Sequence, residues 1–313
     1  MRWIERLRKT RPLLLGRIGL ITVLLAPLWA VALASSLGKA ARWRQAALCR
    51  AFIRRHRLAF PGIDFTRLRV RPVPGGVSNA GYLWKCRTEG GKEVLYFVKV
   101  FLPVGTLWAK LLPAVSPFPR IEAVRVADRL GADLFARARL ERAGVAVPEC
   151  IAADYREGIV VSEFLDGRMV HDLLADIRRT GFFMRDDRVM LWECGNGLGR
   201  IHEAGFSLID AQPANCMWVP ERRRVYFLDM EYSTRRDERN WDLSLFLAFL
   251  GAQLSGELES EARELVLQGY WNGRQPAQLP PMEASRQLEL ENYRSVFQAI
   301  LDVRRLTPEQ IFG

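Results

Sequence analysis

The sequence predicts an α+β chain in two lobes: a small β-rich lobe carrying one helix, then a larger helical lobe, with a membrane-embedded helix in front. Three observations carry that prediction. Strand-like runs "YLWKC" (82–86) and "VLYFVKVF" (94–101), separated by "RTEGGK" with its glycine pair, fall early in the chain. From Met169 onward the apolar spacing is mostly helical, over 169–180, 186–204, 239–255 and 257–271, broken by short strands near 216–219 and 225–229. Ahead of both, "IGLITVLLAPLWAVALASSL" (18–37) runs without a charge between two basic blocks.

Twenty helical residues span ~30 Å, the thickness of a bilayer's hydrocarbon core. The flanks explain the net charge of +11. Residues 1–17 hold Arg2, Arg6, Arg8, Lys9, Arg11 and Arg17 against Glu5, and residues 39–57 hold Lys39, Arg42, Arg44, Arg50, Arg54, Arg55 and Arg57 with no acid. The rest of the chain is close to neutral, so the basicity belongs to the N-terminal segment. Basic residues on both sides leave the orientation of a simple span open, and Pro27 near the middle allows a re-entrant turn instead. Trp43, Leu48, Phe52 and Ile53 among the arginines suit an interfacial helix on anionic lipid. A buried core helix, or a signal peptide cut at an A-x-A site formed by Ala32 and Ala34, are the alternatives. A nucleic-acid-binding arm is not expected, because the adjoining uncharged stretch makes lipid the better anionic partner.

The bulk composition is that of a globular protein, 49% hydrophobic and 26% charged over 313 residues, enough for two lobes with ample core. Cys49, Cys86, Cys150, Cys194 and Cys216 are odd in number and scattered, with no C-x-x-C pair. That pattern indicates neither a disulfide framework nor a zinc site, and it fits a reducing compartment. Three widely separated histidines argue against metal ligation by histidine. His171 and His202 read as structural.

Between the strands and the helical lobe, residues 120–143 have helical character and end at Gly144, with Pro148 beyond. "GIVVSEFLDG" (158–167) is a further strand running into a turn. The division expected is 1–37 for the basic N-terminus and membrane helix, 38–66 for a basic amphipathic linker, 67–165 for the β-rich lobe and 166–313 for the helical lobe.

The chemistry-bearing residues follow one another in a telling order. A turn-rich "GGVSNAG" (75–81) precedes a strand, and Lys99 lies inside the next strand. Glu163 stands at a strand-to-turn junction, "DAQPAN" carries Asp210 and Asn215, and "FLDMEYS" ends a strand on Asp229. Phosphoryl transfer from a nucleotide needs such parts: amides and a cation for the phosphates, Asp and Asn for metal ions, and another Asp for the acceptor hydroxyl. Over roughly residues 70–250 the chain resembles the protein-kinase-like fold, within it the aminoglycoside phosphotransferase and choline kinase type and the lipopolysaccharide core sugar (Kdo or heptose) kinases.

The resemblance implies ATP and Mg²⁺ as cofactors. It implies a nucleotide loop at Gly75, Gly76, Ser78 and Asn79, and Lys99 on the α- and β-phosphates. Glu163 and Leu165 would meet the adenine through their backbone, and the acid paired with Lys99 would be Asp133 rather than Glu122. Asp210 would be the catalytic Asp, Asn215 and Asp229 the Mg²⁺ ligands, and Asp242 a buttress of the catalytic loop. Leu208 replaces a packing histidine, and Glu231 replaces a glycine, where it would touch a second metal or be solvated. Gln212 replaces the lysine of protein Ser/Thr kinases, which argues against a protein substrate.

ATP chemistry requires the body after residue 57 to face the cytoplasm, so the expected location is the inner (cytoplasmic) membrane. An anchored kinase reaches acceptors at the membrane surface. The expected function is therefore phosphorylation of a hydroxyl on a membrane-associated glycolipid or lipid head group, such as a lipopolysaccharide core sugar. A kinase of a soluble sugar, amino alcohol or antibiotic, and a pseudokinase scaffold, are the alternatives.

Overall fold

The computed structural model describes residues 33–73, 78–103, 106 and 119–274. The chain divides into two compact units, Met1–Gly131 with Glu149–Phe164, and Ala132–Pro148 with Leu165–Gly313. One is built on a sheet and the other on helices, so the architecture is α+β.

The first unit holds a five-stranded antiparallel sheet in the order β1-β2-β3-β5-β4, from β1 (Ile63–Val73), β2 (Asn79–Thr88), β3 (Glu93–Phe101), β4 (Cys150–Asp154) and β5 (Ile159–Glu163). Strand β2 shows why one face is covered: Tyr82, Trp84 and Cys86, at every second position, are buried. Their cover comes from the N-terminal side. Helix α1 (33–42) leads into α2 (Ala46–Arg55), whose Cys49, Phe52 and Ile53 join the sheet's core. The Phe52 ring meets Trp84 edge-on at 5.8 Å and Trp43 at 6.0 Å.

This packing corrects two expectations. Residues 18–32 of the uncharged stretch lie outside the described residues, and 33–37 lie in α1. Among the described residues no helix is long and apolar enough to cross a membrane, which overturns the inner-membrane location and leaves the membrane helix drawn from 18–37 without support. The interfacial helix is the second correction, because Trp43, Phe52 and Ile53 are at most 2% exposed, inside the sheet unit's core. The amphipathic pattern was real, but the sheet supplied the cover. Burying a side chain the size of Phe52 contributes roughly 1.5–3 kcal/mol, and the apolar face of β2 lies next to it in the fold.

The second unit takes up the C-terminal part of α3 (Val126–Arg142), followed by α4 (Val170–Thr180), α5 (Arg185–Glu203), α6 (Arg239–Gln253) and α7 (Gly256–Gly273). A small antiparallel sheet, β6 (Arg168–Met169), β7 (Cys216–Val219) and β8 (Arg224–Phe227), interrupts the helices. Local signals set the ends. Gly144 and Gly181 adopt φ of 76° and 79° just past α3 and α4. At the start of α5 the Asp187 carboxylate accepts the Met184 N–H at 2.8 Å. Helices α5 and α7 cross backbone to backbone. A Cβ on Gly195 would collide with the Val266 carbonyl, and one on Gly269 with that of Trp192.

Candidate active site

The β7–β8 hairpin builds the acidic end of the site. Its register pairs Cys216 with Phe227, so Asn215, just before β7, and Leu228 and Asp229, just after β8, fall at the same end. The Leu228 N–H donates to the Asn215 carbonyl at 2.9 Å. A single 3₁₀ turn, Pro213–Asn215, then folds the loop back on Asp210. Asn215 Nδ2 donates to the Asp210 carbonyl at 2.9 Å and to its Oδ2 at 3.0 Å, and Gln212 Nε2 donates to Oδ1 at 2.8 Å. Both carboxylate oxygens of Asp210 are thus held. The role of Gln212 was not foreseen: the sequence showed a missing lysine, not a donor to Asp210.

Burial, and next the neighbouring charge of Asp229, push the Asp210 carboxyl up to about 6 against the two amide hydrogen bonds; Glu231 adds to the rise. Glu231 is buried rather than solvated, and its N–H donates to Asp229 Oδ1 at 3.2 Å. Such crowding of acids fits a cation. Asn215 commits its NH₂ to Asp210, which leaves Oδ1 as the atom to offer a metal, at the same hairpin end as Asp229. Among the described residues no group of three or more His, Cys, Asp or Glu forms a metal cage. Mg²⁺ does not require one, since it is commonly held by one or two carboxylates, water and phosphate oxygens.

The loop ahead of Asp210 is under strain and firmly held. Ile209, a β-branched residue, has φ of 67°, a conformation that costs on the order of 1–3 kcal/mol. Three groups on α6 and α5 hold it. Asp242, fully buried, accepts the Leu208 N–H on Oδ2 and the Ile209 N–H on Oδ1 at 2.7 Å. Trp241 Nε1 donates to the Ile209 carbonyl at 2.9 Å. His202 Nε2 lies 3.1 Å from Asp242 Oδ2, so this histidine is structural and buried.

Asp133, on α3, helps hold the chain on either side of Asp229. Its Oδ2 accepts from Arg137 Nε at 2.8 Å and its Oδ1 from the Met230 N–H at 3.2 Å, while Arg137 Nη2 donates to the Leu228 carbonyl at 3.1 Å. The pair therefore grips the residues immediately before and after Asp229. Sequence reasoning assigned Asp133 only to Lys99; the spacing of four between Asp133 and Arg137 on one helix was the available signal. Leu165 is buried with Ala146, Val219 and Tyr226.

In the sheet unit, Lys99 is 7% exposed on β3, with Gly81 and Val160 as strand neighbours and its ammonium 4.6 Å over the Phe101 ring. Gly75 and Gly76 lie outside the described residues. Ser78 and Asn79 lead into β2. The Ser78 carbonyl accepts the Leu102 N–H at 3.0 Å and Arg129 Nη1 at 3.4 Å. Arg129, fully buried on α3, also donates to the Leu102 carbonyl, and Lys39 Nζ donates to the Phe101 carbonyl at 2.9 Å. Neither cation was singled out from the sequence as part of the site. Glu163 ends β5 and exchanges hydrogen bonds with the backbone of Glu149.

No family model matches the chain, and no curated protein matches it in sequence. Among solved structures it is similar to that of WaaP in complex with acyl carrier protein, with a TM-score of 0.47 and 17% identity, covering 74% of this chain and 89% of that chain. So distant a likeness carries no argument about activity. What the chain does has to be argued from its own residues.

Proposed function

We propose that the chain is a phosphotransferase that moves the terminal phosphoryl group of ATP to a hydroxyl. The observation that carries this reading is the Asp210–Asn215–Asp229 constellation: a carboxylate held on both oxygens, an amide turned to offer its oxygen, and a second acid at the same hairpin end. Asp210 orients the acceptor hydroxyl and takes its proton as the new O–P bond forms and ADP leaves. Asn215 and Asp229 are the residues that would hold Mg²⁺, which when bound neutralises charge on the phosphates. Lys99 is assigned the α- and β-phosphates, with the backbone around Ser78 and Asn79 as the nucleotide loop and Glu163 and Leu165 at the adenine. Catalysis on this reading is positioning and charge neutralisation.

The acceptor proposed is a hydroxyl, with a sugar such as a lipopolysaccharide core sugar as the leading class and an amino alcohol as the other; the motifs do not separate them. The preference for a membrane-borne acceptor rested on the anchor, which the described residues do not show. The test is Mg²⁺-dependent nucleotide binding and label transfer from ATP to sugar and glycolipid extracts. Asp210→Asn should bind nucleotide and lose turnover by about 10²–10⁴-fold, and Asp229→Ala should lose the Mg²⁺ dependence. Absence of nucleotide binding in the wild type, or turnover indifferent to Asp229→Ala, would overturn the reading.

A further inference from the structure

We propose that Tyr270, on α7, is a positioning residue for the loop that carries Asp210, acting through its hydroxyl on His202. The placement starts from the helix crossing. Gly269 and Gly273 flank Tyr270 in the sequence, and their lack of side chains lets α7 lie directly on the α5 backbone at Trp192 and Asn196. Tyr270 is thereby fixed with 3% exposure, its ring edge-on to His202 at 5.4 Å and its hydroxyl 2.8 Å from His202 Nδ1.

That hydroxyl selects how the imidazole is used. His202 Nε2 faces the buried Asp242 carboxylate, an acceptor, so Nε2 carries a hydrogen. In the neutral ring Nδ1 is then an acceptor, and the Tyr270 O–H donates to it. The two contacts fix ring orientation and tautomer together. Asp242 Oδ2 is shared between His202 Nε2 and the Leu208 N–H, while Oδ1 takes the Ile209 N–H. A histidine that rotates or changes tautomer would turn a lone pair toward that carboxylate and displace it. Ile209 keeps its φ of 67° only while its neighbours over-determine it. The chain of contact therefore runs from Tyr270 through His202 and Asp242 to the residue immediately before Asp210.

The catalytic arm of the test rests on the phosphotransferase reading; the spectroscopic arm does not. Trp241 Nε1 donates to the Ile209 carbonyl, so the Trp241 indole ¹H–¹⁵N signal, assigned with Trp241→Phe, reports the loop directly. In Tyr270→Phe that signal should shift or broaden. kcat should fall by roughly 10- to 100-fold while the nucleotide Kd stays within about twofold, as for a misplaced rather than missing catalytic group. An unmoved indole signal, or an unchanged kcat accompanied only by a lower Tm, would overturn the proposal. A wild-type protein that transfers no phosphoryl group defeats the reading of function, and the indole signal alone then decides the relay. Should Tyr270→Phe fail to fold, ¹⁵N-histidine spectra of the wild type decide: a His202 with hydrogen on Nε2 and an acceptor Nδ1 supports the relay, and the opposite tautomer refutes it.

Discussion

In the sheet unit the cations Arg129 and Lys39 meet backbone carbonyls; in the helical unit the carboxylates Asp242 and Asp133 meet backbone N–H groups. Arg129 reaches the carbonyls of Ser78 and Leu102, and Lys39 that of Phe101. Asp242 takes the N–H groups of Leu208 and Ile209, and Asp133 that of Met230. A buried ion is tolerated when dipoles satisfy it, and the cost without them is several kcal/mol. Backbone dipoles also leave the sign of the charge in place, whereas a counter-ion cancels it. The sheet unit thus keeps positive charge beside Ser78, and the helical unit keeps negative charge beside Asp210. The proposed phosphotransferase would use that division, with cations for phosphates and acids for a metal and a proton. Asp133 shows the contrast within one unit: paired with Arg137, it braces the chain around Asp229 and is largely neutralised.

The largest test of this comparison is Asp242→Ala. It strips two backbone N–H groups and His202 of their acceptor at a fully buried position, and should lower the helical unit's stability by about 3–5 kcal/mol, measured by urea unfolding. A loss under about 1 kcal/mol would mean the amides find water and the carboxylate is not what holds the loop. Arg129→Met is the matching change in the sheet unit. Two carbonyls lose a charged donor, which should cost about 2–3 kcal/mol and weaken nucleotide binding in a titration, since Ser78 adjoins the expected phosphate loop. Unchanged nucleotide affinity would separate Arg129 from the site.

Lys39 should show the smallest effect. Its hydrogen bond to Phe101 is offset by burial, which lowers its pKa, with Glu157 opposing that shift. Lys39→Met should change stability by less than about 1 kcal/mol at neutral pH. The sign of the pH effect follows from the lowered folded pKa. The unfolded chain holds the proton more tightly, so wild-type stability rises as pH climbs from the folded value toward 10.5. The difference between urea midpoints at roughly pH 8 and 10 should include that rise in the wild type and lack it in Lys39→Met.

How much of this was legible depends on the range of the interaction concerned. The alternation of Tyr82, Trp84 and Cys86 and the helical spacing from Met169 onward are written into neighbouring residues. So is the short reach from Asp210 to Asn215, because a single turn spans it. Gly195, Gly199, Gly269 and Gly273 were visible with a spacing of four on each helix, yet nothing local says that these two helices meet. Tyr270 and His202 stand 68 positions apart, and their hydrogen bond depends on that meeting. The positive φ at Ile209 had no signal at all, since isoleucine is a poor choice for that conformation and only Asp242 and Trp241 make it tolerable.

The sequence by itself determined which stretches become strands and helices, which faces leave water, and that acids, an amide and a lysine follow in an order suited to phosphate chemistry. Periodicity and turn chemistry are properties of adjacent residues, and they survive whatever the distant chain does. Tertiary structure alone decided what each face would meet. The apolar side of α2 was equally suited to lipid and to a sheet, and it found Trp84. The pairing of Asp133 with Arg137 is local, but the Asp133 bond to Met230 came from the way the chain after β8 packs against α3. A pattern fixes the chemical kind of partner a residue requires; which partner it gets is set by chain closure over scores of residues, and no local spacing encodes that.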